Sequence, residues 1–358
     1  MSPSPSSGSP ATAPAAPAGG GTSRLLKTVA GITAVLSLAL AARQVVVYAT
    51  EYRARQQRRT ALIATSQLQM QAGEFPAAWS SLNQALKSDP DDRLVRAARE
   101  DVAQAWLDHS RTGGGISSFS QLADTLSPVL TEGLLHSDST RKADLLAHLG
   151  WADFLRWREG RRELKPAARY RESLALDPRN PFAHAMLGHW LLWEGDSLAA
   201  AREHFTQALG AGRARDYARG MQLAALSNRR TPPATMELLR VGNEMRTTGE
   251  SPAQARDRLW QAFHDHLGPS APDLLPTELT ALVSPADLLA TYQWAFEGSG
   301  YPEGKGLDYR VELAELQQAA GDTAAALAAY RAVLAEPNVS GMVRAKVTRA
   351  AGRIRAGR

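Results

Sequence analysis

The feature that most constrains this chain is a pattern it repeats. AGEFPAAWSSLNQALKSDP (72–90) and AGDTAAALAAYRAVLAEP (320–337) can be laid over one another. Each opens on a glycine turn and places a small residue five positions later, Ala78 or Ala326. A larger apolar residue follows four further on, Leu82 or Tyr330, and a proline closes the segment, Pro90 or Pro337. At about 3.6 residues per turn this spacing puts the small and the large residue on one helical stripe. The small residue admits a second helix at close range, and the proline stops the first. GWADFLRWREGRRELKPAARYRESLALDP (150–178) ends the same way, with Tyr170 and Pro178. LGHWLLWEGDSLAAAREHFTQAL (187–209) supplies Gly188, Gly195, Ala201, Phe205 and Ala208.

From residue 60 onward no run alternates as a strand would, whereas helix starts recur. Asn180-Pro181, Ser251-Pro252 with Gln254, and Ser284-Pro285 with Asp287 each join a capping residue to a proline at the first helical position. The expectation is an all-α chain. Residues 94–130 and 215–245 read as diverged helix pairs, the first around a loop holding Gly113–Gly115. Residues 251–306 hold two clear helices between long loops, and VRAKVTRAAGRIRAGR forms a final helix. Its Val343, Val347, Ala350 and Ile354 share one face, with Arg and Lys on the other.

This set resembles the tetratricopeptide repeat, a helix-turn-helix unit of about 34 residues. The resemblance is best over 59–92, 143–178, 180–212 and 307–340. There are departures. The second unit carries about four extra residues around Arg158–Lys165, with Pro166 where a small residue belongs. The first has Thr65 and Ser66 in place of a Leu-Gly pair. The resemblance implies a helical-repeat solenoid that binds protein or peptide segments along a groove lined by the first helix of each unit. Trp151 and Phe154 of one unit, and His189 and Trp193 of the next, would then face the groove, with Phe182 extending it. The competing reading is that Trp151 and Trp193 are core, as tryptophans at helical spacing often are. Trp157 and Trp190 read as packing residues, Gly188 as a close-approach residue and Gly195 as part of a turn.

The first 23 residues are Pro, Ser, Ala and Gly with no charged side chain, a composition that cannot offset the entropy of ordering. A mostly apolar run over 24–50 follows, uncharged from Thr28 to Ala42 and broken by Arg43. As a helix, residues 28–50 would rise about 35 Å, enough for a hydrocarbon core of ~30 Å. Tyr48 and Tyr52 suit an interfacial belt, and Arg43 can snorkel. A single-pass anchor is therefore expected. The second reading is a cleaved signal peptide ending at Ala39-Leu40-Ala41, which would release an exported, soluble envelope protein. The basic residues after the span place the large C-terminal part in the cytoplasm under the first reading, and the second exports it, so the side stays open. The Ala- and Arg-rich composition points to a GC-rich bacterium, hence to its inner membrane.

Charge and cysteine narrow the function. The chain has 358 residues, no Cys and a net charge of +5. Residues 24–59 and 339–358 each carry a net +6, which leaves residues 60–338 at −7. An acidic middle is a poor match for a phosphate backbone, so nucleic acid is not expected. The basic ends suit anionic lipid. Without Cys there is no disulfide framework, thiol nucleophile or Cys-based metal site. No phosphate-cradling loop, nucleophile elbow, zinc-protease motif or calcium loop occurs. His264-Asp265-His266 is the most metal-like triplet, but residues two apart on a helix point some 200° from each other. No cofactor, metal or catalytic residue is expected.

The expected organisation is a tail over 1–23, an anchor or signal peptide over 24–50, repeats over 51–248, an irregular helical segment over 249–306, and a last repeat with a basic capping helix over 307–358. The expected function is a non-catalytic, membrane-held scaffold or adaptor for a protein partner. An enzyme with its site in 251–306 is the remaining alternative.

Overall fold

The computed structural model describes residues 22–110, 118–194, 197–229, 231–251, 255–267, 276–298 and 306–357. Among them the elements are sixteen α-helices. The first three are α1 (Thr22–Gln71), α2 (Phe75–Ser88) and α3 (Arg93–His109). Then come α4 (Phe119–Gly133), α5 (Ser139–Arg158), α6 (Pro166–Leu176), α7 (Pro181–Trp193) and α8 (Leu198–Gly210). Next are α9 (Arg215–Arg229), α10 (Pro232–Thr248), α11 (Ala255–Leu267), α12 (Thr277–Leu282) and α13 (Pro285–Gly298). The last are α14 (Gly306–Ala319), α15 (Thr323–Ala335) and α16 (Gly341–Arg355). The chain divides into two compact units, Met1–Val95 and Arg96–Arg358.

In the first unit α1 pairs with α2. The turn between them is set by Gly73, whose φ of 77° suits a residue without Cβ. The Glu74 N–H then donates back to the Gln69 carbonyl at 2.8 Å. Ala78 and Leu82 are fully buried along the seam. In the second unit the matching segment builds the same turn between α14 and α15. Gly321 has φ 90°, the Asp322 N–H donates to the Gln317 carbonyl at 2.9 Å, and Ala326 and Tyr330 are buried. The internal repeat is therefore repeated in three dimensions. Its second copy closes with α16, whose Val343, Val347 and Ala350 join Val311, Ala326 and Tyr330 in one core.

Elsewhere in the second unit successive helices also pair closely, α5 with α6 and α7 with α8. Both pairs depend on a glycine. A Cβ on Gly150 would lie 2.5 Å from the ring of Tyr170, and one on Gly188 would lie 3.2 Å from the Ala201 carbonyl and the Phe205 ring. The caps form where the sequence places them. Asn180 accepts from the Ala183 N–H at 2.9 Å, and Ser284 accepts from the Asp287 N–H at 3.1 Å. The cap expected at Ser251-Pro252 involves residues outside the described ones, as do the Gly113–Gly115 loop and Gly195. Among the described residues of 251–306, α11 packs on α10, α13 and α14.

Buried ion pairs tie these helices together. Arg219 of α9 is buried and bonds Glu244 of α10 at 2.7 Å and Glu250 just beyond it at 2.9 Å. Burial pushes the Glu250 carboxyl up, but Arg219 and Arg215 outweigh it and bring it down to about 2. Glu237 of α10 accepts from Arg202 of α8 and Arg240. One of the solvated positions expected on α16 proves buried. Lys346 donates to the Leu267 carbonyl at 2.8 Å and pairs with Glu315 at 3.2 Å. A buried ammonium needs such partners, so that residue joins α16 to the core rather than to solvent.

The run expected to span a membrane is the first half of α1, which continues unbroken for 50 residues. Among the described residues no helix is long and apolar enough to cross a membrane. Several side chains of the expected span lie outside the described ones; those from residue 35 to 50 are exposed.

The two glycines yield a contrast. Gly150→Ala must displace the buried Tyr170 ring and is expected to cost about 1–3 kcal/mol. Gly188→Ala meets tight contacts at 3.2 Å that ask for a shift of only a few tenths of an ångström, which the helix-propensity gain of about 1 kcal/mol offsets, so it should be near neutral. Urea melts of both variants check this; equal costs would contradict the packing described.

Candidate functional site

Two aromatic rows meet between α5 and α7. Trp151, Phe154 and Trp157 recur every three residues along α5, and His189, Trp190 and Trp193 lie on the last turns of α7. Trp151 stacks on Phe154 with centroids 4.8 Å apart, and His189 sets its ring edge against both, at 5.2 and 5.0 Å. Trp193 stacks nearly parallel on His189 at 5.8 Å and meets Phe154 edge to face at 5.6 Å. Trp157 and Trp190 close the layer at 5.0 Å.

Burial separates the roles. Trp151 is 3% exposed, Phe154 1% and His189 5%, whereas Trp193 is 37% exposed. The Trp151 indole N–H donates to the Leu107 carbonyl at 3.1 Å, the partner a buried tryptophan needs. Trp151 and Phe154 are therefore buried rather than exposed, and His189, also buried, borders a cleft beside Trp193. Their rings fill the space between α5 and α7, where apolar area gains most by leaving water. They form the support on which Trp193 rests. Phe182 lies apart from them, between His148 at 4.9 Å and Tyr217 at 4.9 Å, with the Arg213 guanidinium 5.5 Å from its ring.

Beside Trp193 a cleft of about 150 Å³ opens between α7 and α9, lined by His189, Leu192, Trp193, Ala225, Asn228 and Arg229. Its floor is apolar, and Asn228 and Arg229 supply polar groups. Arg158, at the end of α5, lies 5.3 Å from the Trp193 ring and 5.2 Å from that of Phe119. The next residue holds that corner in place. The Glu159 carboxylate accepts from the Phe119 N–H at 2.6 Å, the Ser120 N–H at 2.9 Å and the Ser118 hydroxyl at 2.9 Å. These are donors that the start of α4 would otherwise leave unpaired. Its slight burial raises the carboxyl, but those hydrogen bonds dominate and lower it to about 2.

The cleft residues of α9 and Arg158 carry no sequence signal beyond lying near helix ends. They become a site only because α9 packs beside α7. Elsewhere, the His264 ring and the Tyr292 hydroxyl meet the Glu312 carboxylate, at 2.7 and 2.6 Å, with the hydroxyl donating. The side chain of His266 lies outside the described residues. Among the described residues no three His, Cys, Asp or Glu gather as a metal site. The His264–Glu312–Tyr292 cluster joins α11, α13 and α14.

No family model matches the chain, and no curated protein matches it. Among solved structures, the chain is similar to a tetratricopeptide repeat protein from Parabacteroides merdae, at 16% identity and a TM-score of 0.37. That likeness covers 82% of this chain and 98% of the other.

Two outcomes follow from the site's geometry. Trp151→Ala should cost about 3–5 kcal/mol, as a large buried ring does, while Trp193→Ala should cost far less. Chemical denaturation distinguishes them, and similar losses would place Trp193 in the core. Glu159 has its carboxyl below its unfolded value of about 4.3, so its stabilisation is present above that pH. The stability gap between the wild type and Glu159→Gln should be constant from pH 7 to 5. It should then shrink as the pH falls toward about 2.

Proposed function

We propose that this chain is a non-catalytic scaffold of the tetratricopeptide-repeat kind, which holds a protein partner at a membrane. The observation that carries the binding part is the cleft beside Trp193. A large ring is half-exposed there on a rigid buried aromatic layer, next to an apolar floor with an amide and a guanidinium at its edge. A rigid aromatic anchor is the type of group that contributes most to a peptide interface. Pairing of helices through small residues, and the two matching turns at Gly73 and Gly321, support the repeat assignment.

Membrane attachment rests on the uncharged sequence 28–42 and on the exposed apolar side chains that follow it in α1. Under this reading the contact centres on Trp193, with His189, Leu192, Ala225, Asn228 and Arg229 lining the cleft beside it. Trp151 and Phe154 act through it by holding its ring, and Phe182 serves a neighbouring part of the same face.

Affinity capture from crosslinked cells tests the site. The full chain, Trp193→Ala and, as a surface control, Leu135→Ala are compared for the proteins they retain. Leu135 is 75% exposed and remote from the cleft in sequence. A partner kept by the control and lost by Trp193→Ala is the expected result. Identical sets from all three would remove the cleft from the binding function.

A further inference from the structure

The exposed half of α1 carries apolar side chains on every side, interrupted by Arg43 and Gln44. Leu36, Leu38, Leu40, Val45, Val46 and Tyr48 are all exposed. At about 100° per residue they point in directions spread around the whole helix. A second copy or a protein groove would cover one stripe and leave the others in water, so all-round apolarity specifies a lipid surrounding. Residues 35–50 rise about 24 Å, short of a ~30 Å core, and the uncharged residues 28–34 of the same helix extend the run to about 35 Å.

Directly beyond Tyr52 the surface changes. Arg53, Arg55 and Arg58 are exposed; Arg55 and Arg58, three residues apart, share one face, and Arg53 points about 140–160° away from them. Glu51 pairs with Arg55 at 3.6 Å, and with both side chains mostly exposed that pair is worth little. Arg59, by contrast, is engaged with Asp92 at 3.1 Å. The three guanidiniums fall within about 8 Å of helix rise, close to the depth of one headgroup layer. From Leu62 onward α1 becomes one-sided and packs on α2, with Ser66 buried.

We propose that Arg53, Arg55 and Arg58 form a collar that binds the phosphates of anionic lipid headgroups and sets the depth of α1 in a bilayer. This rests on the membrane reading above. Because no break separates the collar from the α1–α2 pair, that pair stands at a fixed height above the headgroups.

The test uses the full chain reconstituted into vesicles of phosphatidylcholine with phosphatidylglycerol, each lipid in turn carrying a spin label. Electron paramagnetic resonance then reports the lipid immobilised by the protein. The wild type should prefer the anionic lipid by roughly two- to five-fold. The variant Arg53→Gln/Arg55→Gln/Arg58→Gln should immobilise both lipids equally while still floating with the vesicles. An undiminished preference in that variant overturns the collar. Its loss in Arg344→Gln/Arg355→Gln, on α16, with the collar intact would assign the preference to the other basic end and also overturn it. Failure of the wild type to float, with neither lipid immobilised, overturns the membrane reading itself.

Discussion

Close approach of paired helices at residues without bulk is the constraint on which the second unit depends. Where Gly150 faces Tyr170 and Gly188 faces Ala201 and Phe205, there is no room for one more carbon at ordinary distance. Tyr170 and Phe205 are buried because those glycines leave space for their rings. A large ring set against a small residue is dense packing, and each such pair contributes dispersion as well as removal of apolar area from water. The same logic at Ala78 and Ala326 explains why two distant segments build the same turn and seam.

That spacing also creates the candidate site. With α5 and α7 held near, the aromatic side chains on their facing sides have to interlock, and they do so edge to face and in offset stacks. The layer is most exposed at Trp193, on the last turn of α7, with Trp190 half-buried beside it. Glu159 completes the corner electrostatically. One carboxylate satisfies three donors at the start of α4, and the adjoining Arg158 spreads over two rings. The ion pairs of Arg219 and Glu237 do a related task among α8, α9 and α10. Removing the partners of buried Arg219 or Glu237 would leave that charge in a dry place, and that penalty makes the arrangement specific.

Much of the helical plan was legible in the sequence. The small-residue spacing, the Asn180-Pro181 and Ser284-Pro285 starts and the glycine turns are local signals, and each depends on groups within a few residues. The interior role of Lys346 was not legible. Its position on a basic helix face suggested solvent, and only the Leu267 carbonyl and Glu315, both far away in sequence, make burial tolerable. The roles of the aromatic candidates were half legible. Periodicity identified which residues share a face, but a face of α5 can meet a partner or another helix, and period alone does not say which.

By itself the sequence determined an all-helical chain with an internally repeated helix pair, an acidic middle between two basic ends, and an apolar run ahead of the first pair. Those properties follow from local spacing and from charge, which need no knowledge of neighbours. Only the tertiary structure decided that Trp151, Phe154 and His189 are buried and Trp193 exposed, and that His189 of α7 and Asn228 and Arg229 of α9 line one cleft. Burial is a property of what packs against a residue, and here the decisive neighbours, Leu107 and the α9 segment, lie more than thirty positions from the side chains they cover.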